Sequence, residues 1–154
     1  MYIPPMPDDN SYIEFAVNEN ARFEKLQTVF NALKLAKETD EWHDEPFWQA
    51  LFDKESLATF WWPTEEEVKD WGRRWVSTPL PQRWEDPSLK HPWHFASLID
   101  AFRNGEYDLL ACQIVSPGIA QLQFLPLAYP YGGTGCMEQL ITSFGHRVTK
   151  QHGT

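Results

Sequence analysis

Two runs of strand-forming residues, joined by a short turn, constrain the fold of this chain more than any other feature. The runs cover residues 107–115 and 119–127, and Ser116-Pro117-Gly118 stands between them. Proline fixes φ at the first turn position and glycine allows a positive φ at the second, so the pattern predicts an antiparallel hairpin. Its alternation leaves glutamines on one face and places six side chains on the other, apolar face: Leu110, Cys112, Ile114, Ala120, Leu122 and Phe124.

Apolar residues recur at helical spacing in several other segments. The sequence predicts five helices, over about 20–37, 44–63, 64–77, 92–104 and 136–144. The proline-rich segment that precedes the first helix has no periodicity of this kind, and we expect it to be extended.

Specific residues mark the ends of some of these helices. Thr64 and Glu67 form the pattern of a capping box, in which each side chain binds the backbone N–H of the other residue. Gly105 is expected to end the fourth helix in a left-handed conformation, and Gly145 ends the fifth. A short strand is expected over 146–150.

These elements predict a single α+β domain, with about five helices packed on a small, mainly antiparallel sheet centred on the hairpin at 107–127. Strands do not alternate regularly with helices, which disfavours a doubly wound parallel sheet. A chain of 154 residues can bury a core without disulfides or metals. Within the domain we expect a helical, acidic part over 1–78, a proline-rich connection over 79–92 and an α-β-β-α-β part over 93–154.

The composition excludes several classes of partner. The 22 acidic and 13 basic side chains give a net charge of −9, which argues against nucleic acid because a phosphate backbone must be neutralised by cations. No stretch approaches 18 consecutive apolar residues and the first residues do not resemble a signal peptide, so a membrane is not an expected partner. With only two cysteines, Cys112 and Cys136, the sequence fits a soluble protein of the reducing cytoplasm.

Charge and tryptophan are unevenly distributed along the chain. Residues 1–90 hold 18 acidic and 10 basic side chains, and seven of the eight tryptophans. Trp71 and Trp75, at helical spacing, are expected in the core. Trp61 and Trp62 are adjacent and cannot both point inward from one helix face, so they are the candidate interface residues.

The glycine-rich loop before the last predicted helix is the candidate ligand-binding site. Its candidate residues are Tyr129, Tyr131, Gly132, Gly133, Thr134 and Gly135. Such a loop can turn backbone N–H groups toward a phosphate or carboxylate at the positive end of a helix. The two tyrosines could stack on a flat ligand or equally close the end of the core. The loop has neither the lysine of a P-loop nor the GxGxxG spacing, and a tight turn from strand to helix is the explanation we favour.

Cys136 is the candidate nucleophile, because the first turn of a helix lowers the pKa of a thiol. His146 and His94 are the candidate partners that the fold could bring to it. A purely structural cysteine is the alternative, and the one we favour. His91 and His94 have a proline between them and no helical i, i+4 spacing, so no metal site is predicted, and no cofactor is expected.

These features favour a non-enzymatic, cytoplasmic protein-binding or regulatory module. Its acidic, aromatic surface would attract a basic protein, as an inhibitor or an immunity protein does. A homo-oligomer formed through Trp61 and Trp62 is a related alternative. The competing hypothesis is a small-molecule or anion-binding protein, or a cysteine-dependent enzyme, that uses the loop at 129–136.

Overall fold

Four strands form one antiparallel sheet in the computed structural model, which describes residues 11–128 and 130–154. The strands are β1 (Ser11–Ala16), β2 (Tyr107–Ser116), β3 (Ile119–Pro126) and β4 (Arg147–His152). Their order across the sheet is β2-β3-β1-β4, and all neighbouring strands are antiparallel. With the helices that pack on this sheet, the arrangement confirms the predicted α+β class.

The described residues form seven helices. They are α1 (Asn20–Thr39), α2 (Glu45–Ala50), α3 (Lys54–Leu57), α4 (Glu65–Ser77), α5 (Leu80–Arg83), α6 (Phe95–Asn104) and α7 (Gly135–Ser143). The single helix predicted over 44–63 is wrong, because Asp53 interrupts it and caps α3 by accepting a hydrogen bond from Ser56 N at 2.7 Å. The connection predicted over 79–92 contains α5 and a 3-10 turn at Pro87–Leu89.

Strand β1 lies where the sequence predicted only an extended segment without a partner. It is inserted between β3 and β4, with Ile13 opposite Leu122 and Phe15 opposite Ala120. Ile13 and Phe15 are fully buried. The hairpin and β4 do not pair with each other. Both pair with β1, which therefore joins them into one sheet.

The predicted hairpin is confirmed, but two of the six side chains assigned to its apolar face are not buried. The pairing of β2 with β3 shifts register between Leu109 and Ala111, which is the mark of a β-bulge. The bulge turns Leu109 into the core and leaves Leu110 half-buried. Beyond Cys112 both faces of β2 are exposed, and Ile114 therefore keeps 47% of its surface accessible.

The core lies between the sheet and the helices. Helices α1 and α7 pack on the sheet, and α6 packs on both of them. The apolar stripes predicted for these helices are confirmed, since all of their residues are buried: Phe23, Leu26, Phe30, Leu33, Phe95, Leu98, Ile99, Phe102, Met137, Leu140, Ile141 and Phe144. The opposite face of the sheet is polar, as predicted, and Gln121 Nε2 donates there to Glu14 Oε1 at 3.1 Å.

Arg22 is the main polar connection between the helices. Its Nη2 donates to Ser56 Oγ at 2.7 Å and to the carbonyl of Ser143 at 3.1 Å, while its Nε lies 3.3 Å from Asp53 Oδ2. One side chain therefore holds α1 against α3 and against the end of α7. Gly145, which ends α7 as predicted, has a φ of 85°, and a Cβ at this position would collide with the Arg22 guanidinium.

Gly105 ends α6 for a different reason from the one predicted. Its φ is −66°, so the expected left-handed conformation is wrong. Lys37 Nζ donates to the carbonyls of Phe102 and Gly105, both at 2.8 Å, and so satisfies the helix end without that turn. Glycine is needed here because a Cβ would collide with the ring of Tyr107.

Helix α1 ends at Asp40, which has a φ of 54°. Asp40→Gly should raise the free energy of unfolding by roughly 0.5 kcal/mol, because glycine avoids the steric cost of this conformation but makes the unfolded chain more flexible. Asp40→Val should lower it by about 1 kcal/mol, because a β-branched side chain fits this region poorly. Urea unfolding measures both values, and changes of the same sign would contradict the left-handed helix end.

Candidate functional site

The glycine-rich loop makes a sharp turn into α7. Gly132 and Gly133 are exposed and have φ values of 106° and 80°, which only glycine adopts without strain. Tyr129 lies outside the described residues. The loop is therefore a turn whose glycines have a conformational reason to be there.

The side chains of the loop are engaged with the rest of the protein. Tyr131 is buried, and its ring contacts those of Tyr107 and Phe124 with centroids 6.1 Å and 5.7 Å away. Thr134 Oγ1 donates to Gln151 Oε1 at 3.1 Å. Tyr131 thus closes one end of the core, although we considered it for stacking on a ligand.

The first turn of α7 carries a carboxylate of the protein itself. Glu138 lies in the first turn of the helix, and its Oε1 accepts a hydrogen bond from Gln151 Nε2 at 2.7 Å. A carboxylate in the first turn already stabilises the positive end of the dipole. This position reduces the attraction of the loop for an external anion.

Cys136 does not have the environment of a nucleophile. Its side chain is buried, and its Sγ lies 3.4 Å from Tyr107 Oη. Burial raises the pKa of the Cys136 thiol, and this outweighs the opposing effects of Tyr107 and of the backbone N–H groups. The expected lowering of this pKa is therefore wrong, because desolvation dominates over the helix dipole.

Lys37, which is half-buried, completes a polar cluster with the buried Tyr107 and Cys136. Its Nζ lies 4.4 Å from the centre of the Tyr107 ring, in addition to its bonds to the end of α6. Burial lowers the pKa of Lys37 and raises that of Tyr107. The contacts of this cluster connect α1, α6, β2 and α7, which is a structural role.

The two candidate histidines contact other parts of the protein. His146 is buried between the rings of Phe15 and Phe23, and its Nδ1 accepts a hydrogen bond from Asn18 N at 3.1 Å. The ring of His94 contacts that of Trp61, with centroids 4.8 Å apart. Among the described residues, neither histidine forms a hydrogen bond with Cys136 Sγ.

Residues 61–92, here called the aromatic arm, form a second region that differs from the core. Within the described residues, no side chain of this segment belongs to the main buried cluster. Helix α4 begins with the predicted capping box of Thr64 and Glu67, yet none of its residues is fully buried. The arm therefore exposes apolar surface that the core does not use.

The acidic excess and the tryptophans, which we expected on one surface, belong to different segments. The aromatic arm holds five of the eight tryptophans but six acidic and five basic side chains. Residues 38–55 hold seven acidic side chains and one basic side chain. The strongest negative charge therefore precedes the aromatic arm in the sequence.

The two candidate interface tryptophans have different positions. Trp61 is half-buried, its backbone N–H donates to the carbonyl of Trp93 at 2.9 Å, and its ring stacks on His91. Trp62 is 48% exposed, although its ring stacks on Phe95 and its Nε1 donates to the carbonyl of Leu57 at 2.8 Å. Trp62 is thus the one of the two that presents an accessible and well-fixed ring.

Trp71 and Trp75 were expected in the core, but they are half-buried in the aromatic arm. Their rings stack on each other at 5.2 Å, and Trp84 meets Trp75 edge-on at 4.9 Å. Together with Arg83 and Lys90 they border a cavity of about 460 Å³. The sequence did not predict this cavity. Trp84 lies beyond α5, and only the tertiary fold brings it to the tryptophans of α4.

Comparisons with protein-family models, with curated proteins and with solved structures found no match to this chain. No helix in the described ranges is long and apolar enough to cross a bilayer. Those ranges also contain no group of three histidine, cysteine or acidic residues placed to hold a metal ion.

His146 makes stability depend on pH. Its Nε2 is buried without a hydrogen-bond partner among the described residues, and desolvation lowers its pKa below the ordinary value of about 6.5. The unfolded chain therefore binds a proton more readily than the folded one, and the free energy of unfolding falls as the pH drops below about 6.5 toward the lowered pKa. Each unit of pKa difference corresponds to at most about 1.4 kcal/mol.

Urea unfolding between about pH 7.5 and pH 5 measures this dependence. His146→Gln should flatten the slope, because it removes the titrating group. An identical slope in the wild type and in His146→Gln would contradict the assignment.

Proposed function

We propose that this chain is a non-enzymatic protein-binding module of the cytoplasm that binds a basic protein through Trp62 and the acidic start of α4. The observation that carries the proposal is the ring of Trp62, which is 48% exposed although a stacking contact and a hydrogen bond fix its orientation. A fixed aromatic side chain loses little conformational entropy on binding. For this reason tryptophan is enriched at the energetic centres of interfaces.

The residues that follow Trp62 at the start of α4 support a basic partner. Glu65 and Glu66 are exposed, and within the described residues neither carboxylate forms an ion pair with a basic side chain. Val68, on the following turn, is 46% exposed. An apolar centre beside free carboxylates matches a partner that presents an apolar side chain beside lysine or arginine.

The net charge of the whole chain supports the same choice of partner. A charge of −9 attracts a basic protein over about a Debye length, roughly 8–10 Å in physiological salt. The seven acidic side chains of residues 38–55 add to this field without being part of the proposed contact. Attraction of this kind raises the rate of association more than it raises the final affinity.

A non-enzymatic role is consistent with the burial of the one candidate nucleophile. The pKa of the Cys136 thiol is raised, and the side chain contacts Tyr107 rather than a histidine. Two cysteines, Cys112 and Cys136, are free and buried. Free cysteines are consistent with a protein of the reducing cytoplasm.

Affinity capture tests the proposal. The wild-type chain, immobilised, should retain a protein of basic isoelectric point from cytoplasmic extract at about 0.05 M salt and retain less of it at about 0.5 M salt. Trp62→Ala should abolish the retention, because it removes the apolar centre of the contact. The double variant Glu65→Gln, Glu66→Gln should slow association without abolishing binding.

Trp84→Ala is the matched control, because it removes another exposed tryptophan outside the proposed contact. Melting temperatures of all variants show whether the fold is kept. Retention that does not depend on Trp62, or a retained protein that is acidic, would contradict the proposal. Sedimentation equilibrium tests the alternative of a homo-oligomer. A dimer that is lost in Trp62→Ala would show that the partner is a second copy of this chain.

A further inference from the structure

The aromatic arm contains a cavity of about 460 Å³ between α4, α5 and the 3-10 turn. Its lining residues are Trp71, Trp75, Arg83, Trp84, Leu89 and Lys90, with His91 at one side. Cavities that hold small molecules usually measure about 300–1,000 Å³. None of the lining residues belongs to the contact surface proposed around Trp62.

Contacts within the arm fix the aromatic walls of the cavity. Trp71 Nε1 donates to the carbonyl of Leu89 at 2.6 Å. This bond fixes the Trp71 ring, on α4, to the 3-10 turn. Trp71 and Trp75 are stacked, and Trp84 is edge-on to Trp75. Trp84 remains 75% exposed, so one wall of the cavity is accessible to a ligand from solvent.

The charge of the cavity is opposite to that of the chain. Arg83 and Lys90 are its charged lining residues, and no carboxylate lines it. Within the described residues, neither cation forms an ion pair with an acidic side chain. On a chain with a net charge of −9, two cations without ion-pair partners give the lining of this cavity a positive charge beside three tryptophans.

Arg83 is held in place without losing its charge. Its Nε donates to the carbonyl of Thr78 at 2.8 Å, and its Nη2 donates to the carbonyl of Val76 at 3.3 Å. These bonds place the guanidinium 5.6 Å from the centre of the Trp75 ring. Because carbonyl oxygens are neutral acceptors, the full positive charge remains at the cavity.

We propose that this cavity binds a small planar aromatic anion, such as an aromatic carboxylate. The ring of the ligand packs against the exposed ring of Trp84, and its negative group lies near Arg83 and Lys90. Stacking favours a flat ring, and a charge-assisted contact favours an anion over a neutral or cationic analogue. This inference does not depend on the basic protein partner, because the two sites use different residues and opposite charges.

Isothermal titration calorimetry with three naphthalene probes tests the inference: 2-naphthoate, 2-naphthylmethanol and 2-naphthylmethylammonium. The three probes share one ring and differ in charge. We expect 2-naphthoate to bind at least about tenfold more tightly than the neutral alcohol, and the ammonium to bind most weakly. Equal affinities, or no binding of 2-naphthoate, would overturn the inference.

Variants identify the site. Lys90→Gln should weaken the binding of 2-naphthoate about tenfold and leave that of the alcohol nearly unchanged, because it removes charge and keeps the stem of the side chain. Trp84→Ala should weaken both probes, because it removes a wall. Arg73→Gln is the matched control, since it removes one positive charge from α4 outside the cavity and should leave the affinity unchanged.

Two further results separate this inference from the proposed function. Trp62→Ala should abolish the retention of the basic protein and leave the affinity for 2-naphthoate unchanged. A loss of 2-naphthoate binding in Arg73→Gln equal to that in Lys90→Gln would show that net charge alone is responsible, and would overturn the site. Unchanged melting temperatures of Lys90→Gln and Arg73→Gln confirm that the comparison is made on folded protein.

Discussion

The pairing of β1 with both β3 and β4 is the interaction on which the rest of the structure depends. It places Ile13 and Phe15 beneath the helices and connects the hairpin with β4 across the sheet. Helices α1 and α7 can then bury their apolar stripes on a continuous surface, and α6 packs between them. Arg22 and Lys37, both on α1, fix the other helices through hydrogen bonds to the ends of α6 and α7.

This core leaves the aromatic arm outside. The capping box and the stacked tryptophans give α4 its own local order, while Leu89 is buried within the arm and not in the main cluster. The protein therefore has apolar surface that its own folding does not need. Both proposals place binding on this surface, with Trp62 at its acidic end and Arg83 and Lys90 at its cationic cavity.

Local patterns in the sequence were sufficient for the elements whose structure is determined locally. The stripes of α1, α6 and α7, the Thr64 capping box and the turn at Gly118 follow from spacing and turn chemistry. Strand β1 was missed because six alternating residues after several prolines carry a weak signal, and its pairing partners are more than 100 positions away. The bulge beside Leu110 was missed for the same reason, since register depends on tertiary packing. The direction of the pKa shift of Cys136 was also wrong, because desolvation depends on tertiary packing. The cavity beside Trp84 likewise requires contacts between segments.

Native-state amide hydrogen exchange tests the central claim, that a core independent of the aromatic arm leaves the arm available for binding. The amides of β1 and β3 should exchange only through global unfolding, so that their opening free energy equals the free energy of unfolding from urea. The amides of α4 should exchange through a local opening of clearly lower free energy. Equal protection of α4 and β1 would contradict the account, because it would show that the arm unfolds only together with the core.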